Sequence, residues 1–597
     1  MLFVFILLQL NLNASNIEGN KLDKKELTFY IHQISDTLTN WIYDEYLSEK
    51  RQEELTDNLQ DFYRLRNYKS LWVDEEREIL TNLACNLLDK LEQADEEGLL
   101  VSNYRVPAMR NLQEKIFGIG IEQEEAAKFE IQLSQAYLTY MEHLSKGQFE
   151  PAEIDTAFIF EKRKIDVFKH LQQTINSGDI NSTVNELSPK IPDYKHLKTT
   201  LLYYNKIKND TNLLELPMDL VLKEGEKHEA VPTIATYLTA TGDLSTKYWR
   251  SSMSKKQLKE TSNKQFNSQK DTSIEVNKTV ATKDTANRAV REKGLSENLN
   301  SHTFTKEMVD ALKNFQKRNK LNTDGIIGPN TLQIMNVPVE KRITQIKLNM
   351  ERMRWLPENL GEKYVWVNIP AFQLYFVENE KVTLDMKVVV GESYNPTPAF
   401  KDKIDHIVFS PTWTPTPEIA KNDLLPKIKK NPNYFKEKNM VIYEDWSRNA
   451  KKLDPKKIKW TKISADNFPF KLVQQPGVDN SLGRVKFMFP NEMDIYLHDT
   501  PAKALFSENQ RDASHGCVRV EDPNALTVKL LAKNEGNWTE EKVAEYMNKT
   551  ETDVENLVEA VPVFLVYFTT WADQDAIIHF EEDVYKFDEK QLAIVEK

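Results

Sequence analysis

The residue most able to do covalent chemistry is Cys517, in the run DASHGCVRV. A thiol is a weak nucleophile at neutral pH, with a free pKa of about 8.5. A neighbouring imidazole activates it by taking its proton or by stabilising the thiolate. Two imidazoles are candidates: His515, two residues before the thiol, and His498, in the upstream run DIYLHDTP. The spacing leaves the choice between them open. Gly516 directly precedes the thiol. A residue without a side chain there lets the main chain approach an acyl group and turn N–H groups toward it, as an oxyanion hole requires. A thiol, an imidazole and such donors could together carry acyl transfer, and the residues alone leave that reading open.

These groups need elements to hold them. If 494–498 is a strand, Ile495 and Leu497 point one way, Tyr496 and His498 the other. The apolar pair then enters a core and the Tyr/His pair faces a cleft. From residue 364 onward the runs YVWVNI, FQLYFV, TLDMKVVVG, HIVFSPTW, RVKFMFP and VPVFLVYF alternate with period two or are strongly apolar. They predict a β-rich domain. Between them, 418–475 is Lys- and Asn-rich with helical fragments and aromatics, and reads as an insertion over the sheet.

Residues 25–250 read as mainly helical. Phe129, Leu133, Tyr137, Tyr140 and Leu144 recur at steps of three and four, and Gly147 suits a helix end. Cys85 falls in a similar pattern and is expected as a buried helix residue. A Cys85–Cys517 disulfide is not expected in a chain long enough to build cores without one. Residues 251–300 lack large apolar side chains and read as a flexible polar linker. In 304–336, Met308, Leu312 and Phe315 form a stripe, Asp324-Gly325 signals a turn, and Gly328-Pro329 opens a second helix.

The chain has 597 residues and a net charge of −12. The length implies several domains, and the charge argues against a nucleic-acid partner. Gly is scarce and no phosphate-binding Gly motif occurs. Leu2–Leu8, followed by Ala14 and Ser15, resembles an export signal, although no Lys or Arg precedes it. It is far shorter than the ~20 apolar residues of a membrane span. The remaining His residues lack ligand spacing, so no metal and no cofactor is expected.

Taken together, YLHDTP and R.ASHGCVRV resemble the signature of YkuD-type L,D-transpeptidase catalytic domains. VVVGESYNPTPAF, FSPTWTPTPEI and GRVKFMFPN are similar to further segments of that family. FYRLRNYKSLW resembles the helical scaffold of its large multidomain members, and FQKRNKLNTDGIIGPNT resembles the small helical peptidoglycan-binding module. The resemblance implies a multidomain α+β chain: signal peptide 1–15, helical scaffold 25–250, linker 251–300, peptidoglycan-binding-like module 301–340, and a β-sandwich-like catalytic domain 345–597 with a capping insertion at 418–475. It implies Cys517 as nucleophile and His498 as general base, with Gly516 and the main chain of Cys517 as the oxyanion region. Ser514, His515 and Tyr496 would shape the pocket; Arg519 and Trp413 would contact substrate. After His498 stands Asp499 where some members have Ser, so a backbone carbonyl is a candidate for orienting the imidazole. The implied reaction is 3→3 cross-linking of peptidoglycan stem peptides. Water would instead make the enzyme an L,D-carboxypeptidase, and a protein Lys would make it an attaching transferase. A non-catalytic wall-binding protein is the alternative of another class. The implied setting is the periplasm or cell envelope, with 301–340 a candidate holder of glycan and carbapenem-type inhibitors acylating Cys517.

Overall fold

The computed structural model describes residues 58–74, 79–118, 123–208, 215–245, 302–319 and 321–596. The expected signal segment and the 251–300 linker lie outside them. The chain divides into two compact units, one of residues up to 145 plus 164–188, the other of 146–163 plus 189 onward.

The first unit is helical around one apolar core. Its longest helix, Gln123–Lys146, buries Phe129, Leu133, Tyr137, Tyr140 and Leu144, as their spacing predicts. The helix is followed by Gly147 at φ +84°, a left-handed value suited to glycine. Cys85 corrects its expectation. On helix Asn82–Glu92 the buried face is Ala84, Leu87, Leu88 and Leu91, and Cys85 falls off that stripe into solvent. Both cysteines are free thiols.

The helical region expected over 25–250 does not stay together. Residues 189 onward belong to the second unit. There helix Pro192–Lys208 packs through Tyr194, Leu197, Leu201 and Tyr204 with helix Val339–Arg354. Residues 216–244 share a core with Phe304, Met308, Leu312, Phe315, Ile327 and Leu332. The peptidoglycan-binding-like module thus includes chain from before the linker as well as after it. Its helices, Lys306–Arg318 and Pro329–Met335, begin where Thr305 caps and Pro329 starts the turn. Buried Gln316 ties the turn at Asp324-Gly325 to the first helix through Asp324, Gly325 and Ile326.

The β-rich part of this unit is built on β1 (Lys363–Asn368), β2 (Gln373–Glu378), β3 (Lys381–Gly391), β4 (Ala399–Phe409), β5 (Val485–Met488), β6 (Leu497–His498), β7 (Asp512–Ser514), β8 (Val518–Val520) and β9 (Asp553–Val566). Pairing runs β5-β6-β8-β3-β2-β1-β9-β4, and β4 pairs back onto β5, so the sheet closes on itself. Closure leaves few free edges. Its interior is filled by Val365, Val367, Leu374, Phe376, Val388, Val390, Ile407, Phe409, Phe487, Leu497 and Val518. The link from β4 to β5 carries a small core of its own, including Leu424, Leu425, Ile428, Phe435, Ile442 and Leu472. A three-stranded sheet of Lys452–Leu453, Met440–Tyr443 and Lys471–Gln474 lies beside that core.

Candidate active site

Strand pairing sets the thiol and the upstream imidazole on one face. β6 and β8 run parallel with Leu497 opposite Val518 and His498 opposite Arg519. Leu497 and Val518 are both fully buried in the core. Period two therefore puts Tyr496, His498, Cys517 and Arg519 on the opposite face of the two strands. The rings of Tyr496 and His498 meet edge to face with centroids 5.7 Å apart.

His498 is almost fully buried, and its Nδ1 lies 2.5 Å from the carbonyl oxygen of Asp499. A carbonyl only accepts, so Nδ1 donates to Asp499, and the Leu482 carbonyl is a further main-chain partner of the ring. The group that orients the imidazole is therefore main chain. The Asp499 side chain turns elsewhere: Oδ2 accepts from the Arg484 amide at 2.8 Å, and Oδ1 lies 2.9 Å from Lys503 Nζ. It rests against Gly483, whose φ is +64° and where a Cβ would come within 2.3 Å of Oδ2. The LGR turn before β5 is glycine for both reasons.

Burial pushes the imidazole down to about 3, with the charge of Arg519 acting in the same direction. Burial likewise pushes the Cys517 thiol up to about 11, against hydrogen bonds from the Tyr496 main chain and phenol and the charge of Arg519. The unliganded pair is neutral at physiological pH. Cys517 Sγ lies 3.6 Å from the Asp494 carbonyl, its hydrogen-bond acceptor. Burial also raises the Tyr496 phenol well above its usual value, so it donates.

The turn around Cys517 is held by main-chain contacts. Ser514 Oγ donates to the Cys517 carbonyl at 2.6 Å and accepts from the Gly516 amide at 3.2 Å. The Gly516 N–H is thus already engaged, which narrows the expected oxyanion region. The Cys517 N–H makes no hydrogen bond within the described residues. Gly516 sits at φ +109°, a backbone conformation that glycine allows. Thr397 Oγ1 donates to the Gly516 carbonyl at 2.7 Å and accepts from the Gly391 amide. Tyr585 donates to the Gly391 carbonyl at 2.6 Å. Arg511, buried, donates to the carbonyls of Val388, Phe372 and Glu508 and pins the strand leading into the turn.

The other predicted residues lie further out. His515 does not serve the thiol; its Nε2 is 2.8 Å from Asp423 Oδ2 in the insertion, with both side chains half-exposed. Asp423 stands on a π-helical turn, Ala420–Leu424. Trp413 pairs by main chain with Gln474 and packs on the insertion's core, so it stands at the root of that segment. Arg519 is charge-coupled to Cys517 and Glu392.

Sequence reading missed Thr397, Arg511, Tyr585 and Lys486. Lys486 pairs with His498 across β5 and β6, between fully buried Val485 and Phe487. The alternation in RVKFMF could have placed it on the site face. Thr397 and Arg511 stand in the quoted segments VVVGESYNPTPAF and R.ASHGCVRV without a role assigned, because their contacts, like that of Tyr585, join segments distant in sequence. No group of three or more His, Cys, Asp or Glu residues among the described residues could hold a metal.

Residues 362–535 match the L,D-transpeptidase catalytic domain family YkuD, 57–201 a scaffold domain, and 291–335 a putative peptidoglycan binding domain. A putative L,D-transpeptidase of Haemophilus influenzae is 34% identical over 258 residues, 43% of this chain and 50% of that one. This chain thus matches about half the length of that curated relative. Among solved structures, an L,D-transpeptidase from Mycobacterium smegmatis aligns at 12% identity and a TM-score of 0.16, over 34% of this chain and 58% of its own. The Ldtfm-avibactam carbamoyl enzyme aligns at 11% identity and 0.17, over 38% and 64%. At those scores neither structural likeness carries an argument.

Proposed function

We propose that this chain, a multidomain protein with a YkuD-type L,D-transpeptidase catalytic domain, cross-links peptidoglycan stem peptides through a thioester on Cys517. The observation that carries the reading is the β6–β8 register, which sets Cys517 and a His498 held by main chain on one face of two adjacent strands.

The donor is a stem peptide with a diamino acid at position three and a D-residue after it. Cys517 Sγ attacks the carbonyl carbon of the third residue while its proton passes to His498 Nε2. The Cys517 N–H is the free donor best placed for the oxyanion. As the tetrahedral species collapses, the C–N bond breaks and His498 returns the proton to the leaving amine, releasing the D-amino acid. The side-chain amine of a second stem then attacks the thioester, giving a 3→3 link and restoring the thiol. The insertion, joined to the catalytic turn through Asp423 and His515, acts as a lid that excludes water so that an amine wins. The module around 302–336 would hold glycan, and the site of action would be the periplasm or cell envelope.

The test is incubation of the full chain with purified tetrapeptide stems and mass-spectrometric identification of products. Cross-linked dimers with loss of the terminal residue are expected. Tripeptide alone identifies a carboxypeptidase, and a protein adduct identifies an attaching transferase. No product and no carbapenem adduct on Cys517 would leave a wall-binding protein.

A further inference from the structure

Lys486 has no part in the mechanism above, yet its placement is unusual. The β5–β6 register sets it opposite His498, while its neighbours Val485 and Phe487 fill the core. It therefore shares the face that carries His498, Tyr496 and Cys517. Its Nζ lies 5.3 Å from the centre of the Tyr496 ring, and that phenol hydrogen-bonds to Cys517. No hydrogen bond or ion pair to a carboxylate accompanies this contact among the described residues. Burial lowers the ammonium's pKa and the charge of Cys517 raises it. Lys486 is half-buried, and a partly desolvated ammonium without a counter-ion costs the free protein some stability. Such a group fits a site where negative charge forms during the reaction.

Other charges around the thiol do not make this one redundant. Arg519 lies on the same strand and is shared with Glu392. Asp494, whose carbonyl takes the thiol hydrogen bond, adds negative charge. His498 on β6 and Tyr496 just before it are neutral. Lys486 is a cation of this face with no carboxylate partner among the described residues.

We propose that Lys486 is a positioning residue for the nucleophile: its uncompensated ammonium, on the shared face beside Tyr496, stabilises the Cys517 thiolate and the anionic species formed from it. The proposal rests on Cys517 as the reactive thiol and not on the identity of the acyl donor.

The test uses the full chain and iodoacetamide, which forms an S–C bond with loss of iodide. Peptide mass spectrometry follows Cys517 and solvent-exposed Cys85 in the same molecule between about pH 7 and 9.5. In this range the rate tracks the thiolate fraction, and one pKa unit is about tenfold. K486Q is expected to slow Cys517 relative to Cys85 by about five- to tenfold at each pH, with K486R within about twofold of the parent. K486M, which keeps much of the stem over Tyr496 without the charge, is run beside K486Q in case one fails to fold. A Cys517-to-Cys85 ratio unchanged in either folded neutral variant overturns the proposal. A slowed ratio without any stem cross-linking supports it and counts only against the function reading.

Discussion

Adding one methyl group at Gly483 should disable the site without touching a reacting atom. At φ +64° an alanine is strained by about 1–2 kcal/mol. Its Cβ would lie 2.3 Å from Asp499 Oδ2, so the carboxylate must retreat by about 1 Å to reach ordinary contact. That movement loosens the bond from the Arg484 amide, a hydrogen bond to a charged group worth about 1.5–3 kcal/mol. The same residue's carbonyl holds His498 Nδ1, so the imidazole moves with it. Misplacement of a catalytic group by about 1 Å can cost on the order of a hundredfold in rate. G483A is therefore expected to lower the carbapenem acylation rate of Cys517 by about ten- to a hundredfold, read by intact-mass kinetics. It should also lower the melting temperature. Adding D499A to G483A removes Oδ2 and Cγ but keeps the Asp499 Cβ, which the new methyl would meet at 2.5 Å, so it should restore little of the rate. Acylation by G483A within about twofold of the parent would refute the view that this turn positions the imidazole.

C517A should abolish acylation and leave the melting temperature near the parent value, because the side chain is only partly buried; an adduct still formed would sink the nucleophile assignment. Since the imidazole is held near 3, acylation rates should show no acid limb near pH 6.5. Because that pKa is depressed on folding, the stability linked to His498 should fade as pH falls from about 6.5 toward 3, a slope that H498Q should remove from acid denaturation curves. R511M strands buried carbonyls at Val388, Phe372 and Glu508, and should cost about 3 kcal/mol or more, seen as a lower melting temperature and faster proteolysis. D423N breaks a half-exposed pair worth at most about 1 kcal/mol. Stability should therefore barely change, while hydrolysis gains on amine transfer in the stem assay.

Local chemistry already determined much of this protein. Alternation in DIYLHDTP separates Leu497 from Tyr496 and His498, and the helical stripes at 129–144 and 308–315 are buried as their periods require. Thr305 and Pro329 mark helix starts, and Gly516 marks the turn before the thiol. Periodicity gives a direction relative to the chain's own axis and so says which residues share a face. It does not say which face meets which. That His498 shares a face with Cys517 comes from strand register, β6 lying parallel to β8, while His515 turns to Asp423. Exposure of Cys85 followed from where the first unit's core lies, and the recruitment of residues 216–244 into the module followed from packing across the linker. The Thr397–Gly516 bond and the Arg511 bonds to Val388 and Phe372 are likewise contacts between segments distant in sequence. Such contacts depend on distances that exist only after the sheet closes, and no composition or spacing encodes them.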